Sequence, residues 1–133
     1  MYNGVYTIEQ FAYAHDTLAK WLDMKVHGDS LGSRLENRGI KRVAVYGTND
    51  FGRLVYDDIK SDVEVEAFVD RKAADSLITI DGVKALPPNG VEVLSSDCYV
   101  LVTPEYYFRE ISEELSRCGI SDERIISIAM VVS

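Results

Sequence analysis

Val43-Ala44-Val45-Tyr46-Gly47-Thr48-Asn49-Asp50-Phe51-Gly52 is followed, 18 residues later, by Asp70 at the end of a second apolar run, Val63 to Val69. Four apolar residues ahead of Gly47 read as a strand buried on both faces, and the glycine marks a tight turn out of it. Phe51, Leu54, Val55 and Ile59 then recur at helical spacing. Strand, glycine turn, helix and a second strand ending in an acid are the layout of a dinucleotide-binding βαβ unit. In that unit the amides of the turn meet a pyrophosphate and the acid accepts hydrogen bonds from a ribose.

The glycine pattern of such turns, G-x-G-x-x-G, stands here as Gly47-x-Asn49-x-x-Gly52. Gly47 is assigned the turn and Gly52 the close packing of helix on strand, two roles that need no ligand. The middle position, where a phosphate approaches the backbone, is asparagine. Asn49 tolerates a left-handed conformation, so the turn is expected to survive. Its side chain either fills part of the phosphate seat or donates to the phosphate. Asp50, beside the helix start, reads as a capping carboxylate that also repels a bound phosphate. Asp70 favours NAD(H), whereas Arg71 next to it leaves NADP(H) open; the alternative is a solvated Asp-Arg turn.

Outward from this unit, Thr7-Ile8-Glu9-Gln10 reads as a capping box opening a helix. Ile8, Phe11, Ala12, His15, Leu18, Ala19 and Leu22 give that helix one apolar stripe, with Gly28 as its stop. A short helix follows over residues 30–38, ended by Gly39. Residues 1–39 are thus expected to be a helical appendage that covers the sheet or pairs with a second subunit, and residues 40–133 the nucleotide-binding-type domain. In the latter, Ile78 to Ala85 is extended around an Asp81-Gly82 turn. Cys98 to Val102 is a buried strand, with Thr103 as N-cap and Pro104 as first residue of a helix reaching Cys118. Arg124 to Ile128 is the last strand. The fold class is α/β: a Rossmann-like, doubly wound, mostly parallel sheet of five strands in the order 3-2-1-4-5. Gly47, Asp70 and Thr103 all fall at strand carboxyl ends, where such sheets bind ligands.

Composition bounds the function. With 133 residues the chain forms one domain, and its net charge of -8 opposes nucleic acid as a partner. No apolar stretch reaches the length of a membrane span, and Met1 to Gly4 lack the basic start of a signal peptide. Cys98 and Cys118 make no metal-ligand cluster and read as reduced packing thiols, which gives a cytoplasmic location. His15 and His27 are isolated, and no metal site is expected. Tyr56-x-x-x-Lys60 has the spacing of short-chain dehydrogenases but lies on the wrong helix for that chemistry. Tyr106 and Tyr107 either pack or stack on a base, and Glu110, Glu113 and Glu114 read as a solvated helix face.

Over Ile40 to Asp70 and Asp97 to Pro104 the chain resembles the Rossmann-like modules of bacterial surface-polysaccharide biosynthesis, including the nucleotide-binding domains of nucleotide-sugar dehydratases and epimerases. The matching residues are Val43-Ala44-Val45-Tyr46-Gly47, Gly52, Phe68-Val69-Asp70 and Val100-Leu101-Val102-Thr103-Pro104; Asn49 departs from the family glycine. The resemblance implies a small module that binds NAD, NADP or a nucleotide sugar through Gly47, Thr48, Asn49, Asp50, Phe51, Gly52, Asp70, Arg71 and Thr103. No residue is assigned to catalysis, and only Ala129 to Ser133 follow the last strand, too few for a substrate domain. The alternative is a non-catalytic interaction module that keeps the fold without a nucleotide and uses its N-terminal helices to form a homodimer or to recruit a partner.

Overall fold

Two apolar runs pair in parallel around Gly47 and set the frame of the sheet. In the computed structural model, which describes residues 7–103 and 105–133, β1 (Arg42–Tyr46) lies between β2 (Glu64–Val69) and β5 (Cys98–Val102), parallel to both. β4 (Val83–Leu86) extends the sheet beyond β2, and β6 (Ile125–Ser127) extends it beyond β5, again in parallel. The expectations placed on Met1 to Gly4 and on Pro104 lie outside the described residues.

Among the described residues the sheet has six strands rather than five and, with Thr79–Ile80 as β3, the order is β3-β4-β2-β1-β5-β6. The additional strand, β3 (Thr79–Ile80), runs antiparallel to β4 at the edge. Asp81 and Gly82 both hold positive φ, 55° and 81°, as a two-residue hairpin turn requires. A segment read as one irregular strand therefore folds back on itself.

Helices cover both faces. α3 (Asp50–Ile59) packs with α1 (Ile8–Val26), α2 (Leu31–Asn37) and α5 (Ile128–Val132) on one core, where Trp21, Met24, Leu31, Leu35, Val55, Ile59, Val131 and Val132 meet Val43, Val45, Phe68 and Leu101. α4 (Phe108–Arg117) covers the other face, with Ile111 and Leu115 against Ala44, Val69, Val100 and Val102. The chain after β6 thus forms a helix capped by the Ser127 hydroxyl, which accepts from the Met130 amide at 3.3 Å.

The capping box at Thr7 and Gln10 forms, with both reciprocal hydrogen bonds present. The side of α1 that meets the core is not the expected one. Gln10, Thr17, Trp21 and Met24 are buried, while Ile8, Phe11, Leu18 and Leu22 remain 88%, 60%, 42% and 65% exposed. Polar pairing selects the buried side. Trp21 Nε1 donates to Asp58 Oδ2 at 2.9 Å, and Gln10 Nε2 donates to the Tyr107 hydroxyl at 2.8 Å. Asp58 also accepts from the Leu31 amide at 3.1 Å and from Lys25 Nζ. One carboxylate on α3 thereby ties α1 and α2 to the domain.

Candidate functional site

Gly47 leaves β1 with φ at 113°, a conformation that a Cβ opposes, and its amide donates to the Val69 carbonyl at 2.8 Å. The chain turns there directly into α3. Gly52 closes the turn: a Cβ on it would stand 2.0 Å from the Gly47 carbonyl oxygen. The N-terminus of α3 is therefore pressed against the carboxyl end of β1.

Asp70 reaches into the same turn from the end of β2. Its Oδ2 accepts from the Thr48 amide at 3.0 Å and from the Thr48 hydroxyl at 2.8 Å, and its Oδ1 accepts from the Lys72 amide at 2.9 Å. The bond from the Lys72 amide makes Asp70 the cap of a short 3-10 turn, Arg71–Ala74. Thr48 is buried, and the carboxylate satisfies both of its donors.

Asn49 is the N-cap of α3 with φ at -74°, so the left-handed tolerance expected of it is not used. Its side chain makes no cap hydrogen bond; instead its Oδ1 accepts from Lys72 Nζ at 3.2 Å. The expected capping role of Asp50 is therefore not the one observed. Asp50 is the first helical residue, exposed, with its charge at the favourable end of the helix dipole. Arg53 Nε donates to the Thr48 carbonyl at 3.1 Å, closing the loop from outside. Phe51 points away from this crevice and packs on Trp21, ring centroids 5.5 Å apart.

Thr103, at the end of β5, is not a helix cap. Its hydroxyl donates to the Tyr46 carbonyl at 2.6 Å and its amide to the same oxygen at 3.1 Å. The residues Glu105–Tyr107 form a 3-10 turn, and the α-helix begins only at Phe108. Tyr106 packs edge-on to Tyr13 and Tyr107, and Tyr107 accepts from Gln10, so both aromatics fasten α1. Tyr56, of the dehydrogenase-like spacing, donates its hydroxyl to Asp81 at 2.8 Å.

Gly47, Thr48, Gly52, Asp70 and Thr103 thus meet at one sheet edge, with Asn49 and Asp50 at its rim. Arg71 lies on the α4 side, where NH2 donates to Glu114 Oε1 at 3.2 Å. The same oxygen accepts from the Tyr46 hydroxyl at 3.3 Å. Sequence reading missed Tyr46 and Glu114, because one is hidden in an apolar run and the other in an acidic helix face. The spacing Asp70-x-Lys72 did carry a signal for the turn that holds the carboxylate. Two surface hollows lie elsewhere, one lined by Met24, Arg34 and Val132, the other by Ala74, Lys84 and Leu86. Among the described residues no group of three His, Cys, Asp or Glu is placed to hold a metal, and no helix is long and apolar enough to cross a membrane.

Two buried groups give this architecture an alkaline limit. Burial, and then the Glu114 carboxylate, push the Tyr46 hydroxyl from 10.0 up to about 12. Burial, and then Glu66, push the Cys98 thiol from 9.0 up to about 12. Each ionises at lower pH in the unfolded chain than in the folded one. Their stability is whole below pH 9 and falls as pH rises toward 12, by up to about 1.4 kcal/mol per pH unit for each group. In urea unfolding at stepped alkaline pH, Cys98→Val and Tyr46→Phe each flatten that decline; an unchanged slope in both variants rules these groups out as its cause.

No curated protein matches the chain. Residues 39–126, from the glycine ahead of β1 to the middle of β6, match the model of the family described as C2185-like, N-terminal, and the chain belongs to that family.

Proposed function

We propose that the chain is a Rossmann-like module that binds a nucleotide, NAD(P) or a nucleotide sugar, at the carboxyl edge of its sheet. Its service to a surface-glycan biosynthesis enzyme is part of this proposal and rests on the resemblance described above. The observation that carries the reading is the contact of Gly52 on Gly47. It sets the N-terminus of α3, with its unpaired amides, between β1 and β5 and beside Asp70. The parallel strands run β4-β2-β1-β5-β6, so the winding reverses between β1 and β5, which is where doubly wound sheets take their ligands. A ribose hydroxyl competes with Thr48 for the Asp70 carboxylate, and a phosphate takes up the amides of the first turn of α3. The proposed role is binding, and no residue of this edge is assigned to catalysis. Cys98 and Cys118 are free thiols, which supports a cytoplasmic setting.

A second reading, a fold kept without a nucleotide, is favoured by the carboxylates. Asp70 already satisfies Thr48, and Asp50 places a negative charge where a phosphate would sit. Melting curves with NAD, NADP and UDP-glucose at about 1 mM separate the two readings. A ligand with a Kd near 10 μM raises the melting temperature by roughly 8 °C through mass action. Asp50→Asn and Asn49→Gly each enlarge the shift by removing a charge or a side chain from the phosphate seat. If none of the three nucleotides moves the transition for any of these chains, nucleotide binding is lost and the second reading stands.

A further inference from the structure

α1 carries apolar side chains on two opposite faces, and the fold covers only one of them. Trp21 and Met24 are in the core, whereas Ile8, Leu18, Leu22 and Val26 are 88%, 42%, 65% and 73% exposed. Leu18, Leu22 and Val26 follow one another at four-residue intervals, so they form one row along the helix. Leu54, 55% exposed, widens the row onto α3. It lies within one turn of Phe51 and Asp58, the residues of α3 that meet Trp21. A contiguous exposed apolar patch of this kind marks an interaction surface.

We propose that this face is an interface between two copies of the chain, with α1 packed on α1 about a two-fold axis. Area and charge select this occupant. Ile8, Leu18, Leu22, Val26 and Leu54 together expose about 600 Å² per copy, so a symmetric pair removes roughly 1,200 Å² from water, the size at which stable interfaces begin. A two-fold contact needs one self-complementary patch, and a single helix row supplies it. The row itself carries no charge, and at its edge Lys25, three residues from Leu22, pairs with Asp58. Two chains of net charge -8 therefore meet here at a surface with no single-sign field. A strongly basic or acidic partner finds no complementary potential to read.

Sedimentation velocity of the full chain between about 1 and 100 μM tests the pairing by mass action. The expected result is a dimer that dissociates on dilution. Leu22→Asp and Leu18→Asp weaken it by at least about 100-fold, while circular dichroism at low concentration keeps the wild-type helix signal, because both positions face outward. Leu77→Asp, at a leucine 83% exposed outside this row, leaves the dimer intact. A wild-type chain that stays monomeric across the range overturns the proposal, and so does a dimer that survives both α1 substitutions.

Discussion

Gly52→Ala lowers the melting temperature by about 10 °C or more, the effect of a clash that costs roughly 3 kcal/mol in a domain of this size. The added carbon would meet the Gly47 carbonyl oxygen at 2.0 Å and the Gly47 carbonyl carbon at 2.8 Å. Both are backbone atoms of a turn whose amide is fixed to Val69, so neither can swing aside as a side chain would. α3 must lift from the end of β1, and that loosens its contacts through Val55 and Ile59 with the shared core. Gly90→Ala is the control. Its added carbon meets only side-chain atoms, of Pro87 at 3.4 Å and of Leu86 at 3.9 Å, so the expected cost is below about 1 kcal/mol. Differential scanning calorimetry of the two variants decides the matter; equal melting temperatures would remove the close-approach role from Gly52.

Asp58→Ala costs about 3 kcal/mol in urea unfolding, the scale for stripping a buried charged acceptor from several donors. The side chain is 8% exposed and serves the Trp21 indole, the first amide of α2 and Lys25 together. Lys25 is half-exposed and returns to water, so the loss comes chiefly from the indole and the amide left without partners. Trp21 is the sole tryptophan, so its fluorescence reports directly on the docking of α1. A red shift of emission in Asp58→Ala, partly reversed in Asp58→Asn, accompanies the loss of stability. An unshifted spectrum with less than about 1 kcal/mol lost would show that apolar packing alone holds α1.

The elements of the domain were legible where short-range chemistry decides them. The apolar runs at Val43 and Val100, the capping box at Thr7, the Ser30 start of α2 and the Asp81-Gly82 turn each depend on residues within a few positions of one another. The misread elements involve choices that the local pattern leaves open. Periodicity shows that α1 has an apolar stripe, yet Trp21 and Met24 lie on the opposite side. Only the positions of Asp58 and Tyr107 settle which side turns inward. Thr103 before Pro104 has the look of a helix cap, but β1 presents the Tyr46 carbonyl to its hydroxyl first.

The candidate site divides in the same way. By itself the sequence determined a glycine turn between an apolar strand and a helix, because a positive φ at Gly47 and the absence of a Cβ at Gly52 are properties of single residues. Tertiary structure alone decided that Asp70 holds the Thr48 donors, that Glu114 joins Tyr46 to Arg71, and that α1 leaves a row of leucines outside. The hydrogen-bonded pairs among them join residues between 22 and 68 positions apart. Hydrogen bonds and packing over such separations follow from the sheet's order in space, and a linear pattern does not carry that order.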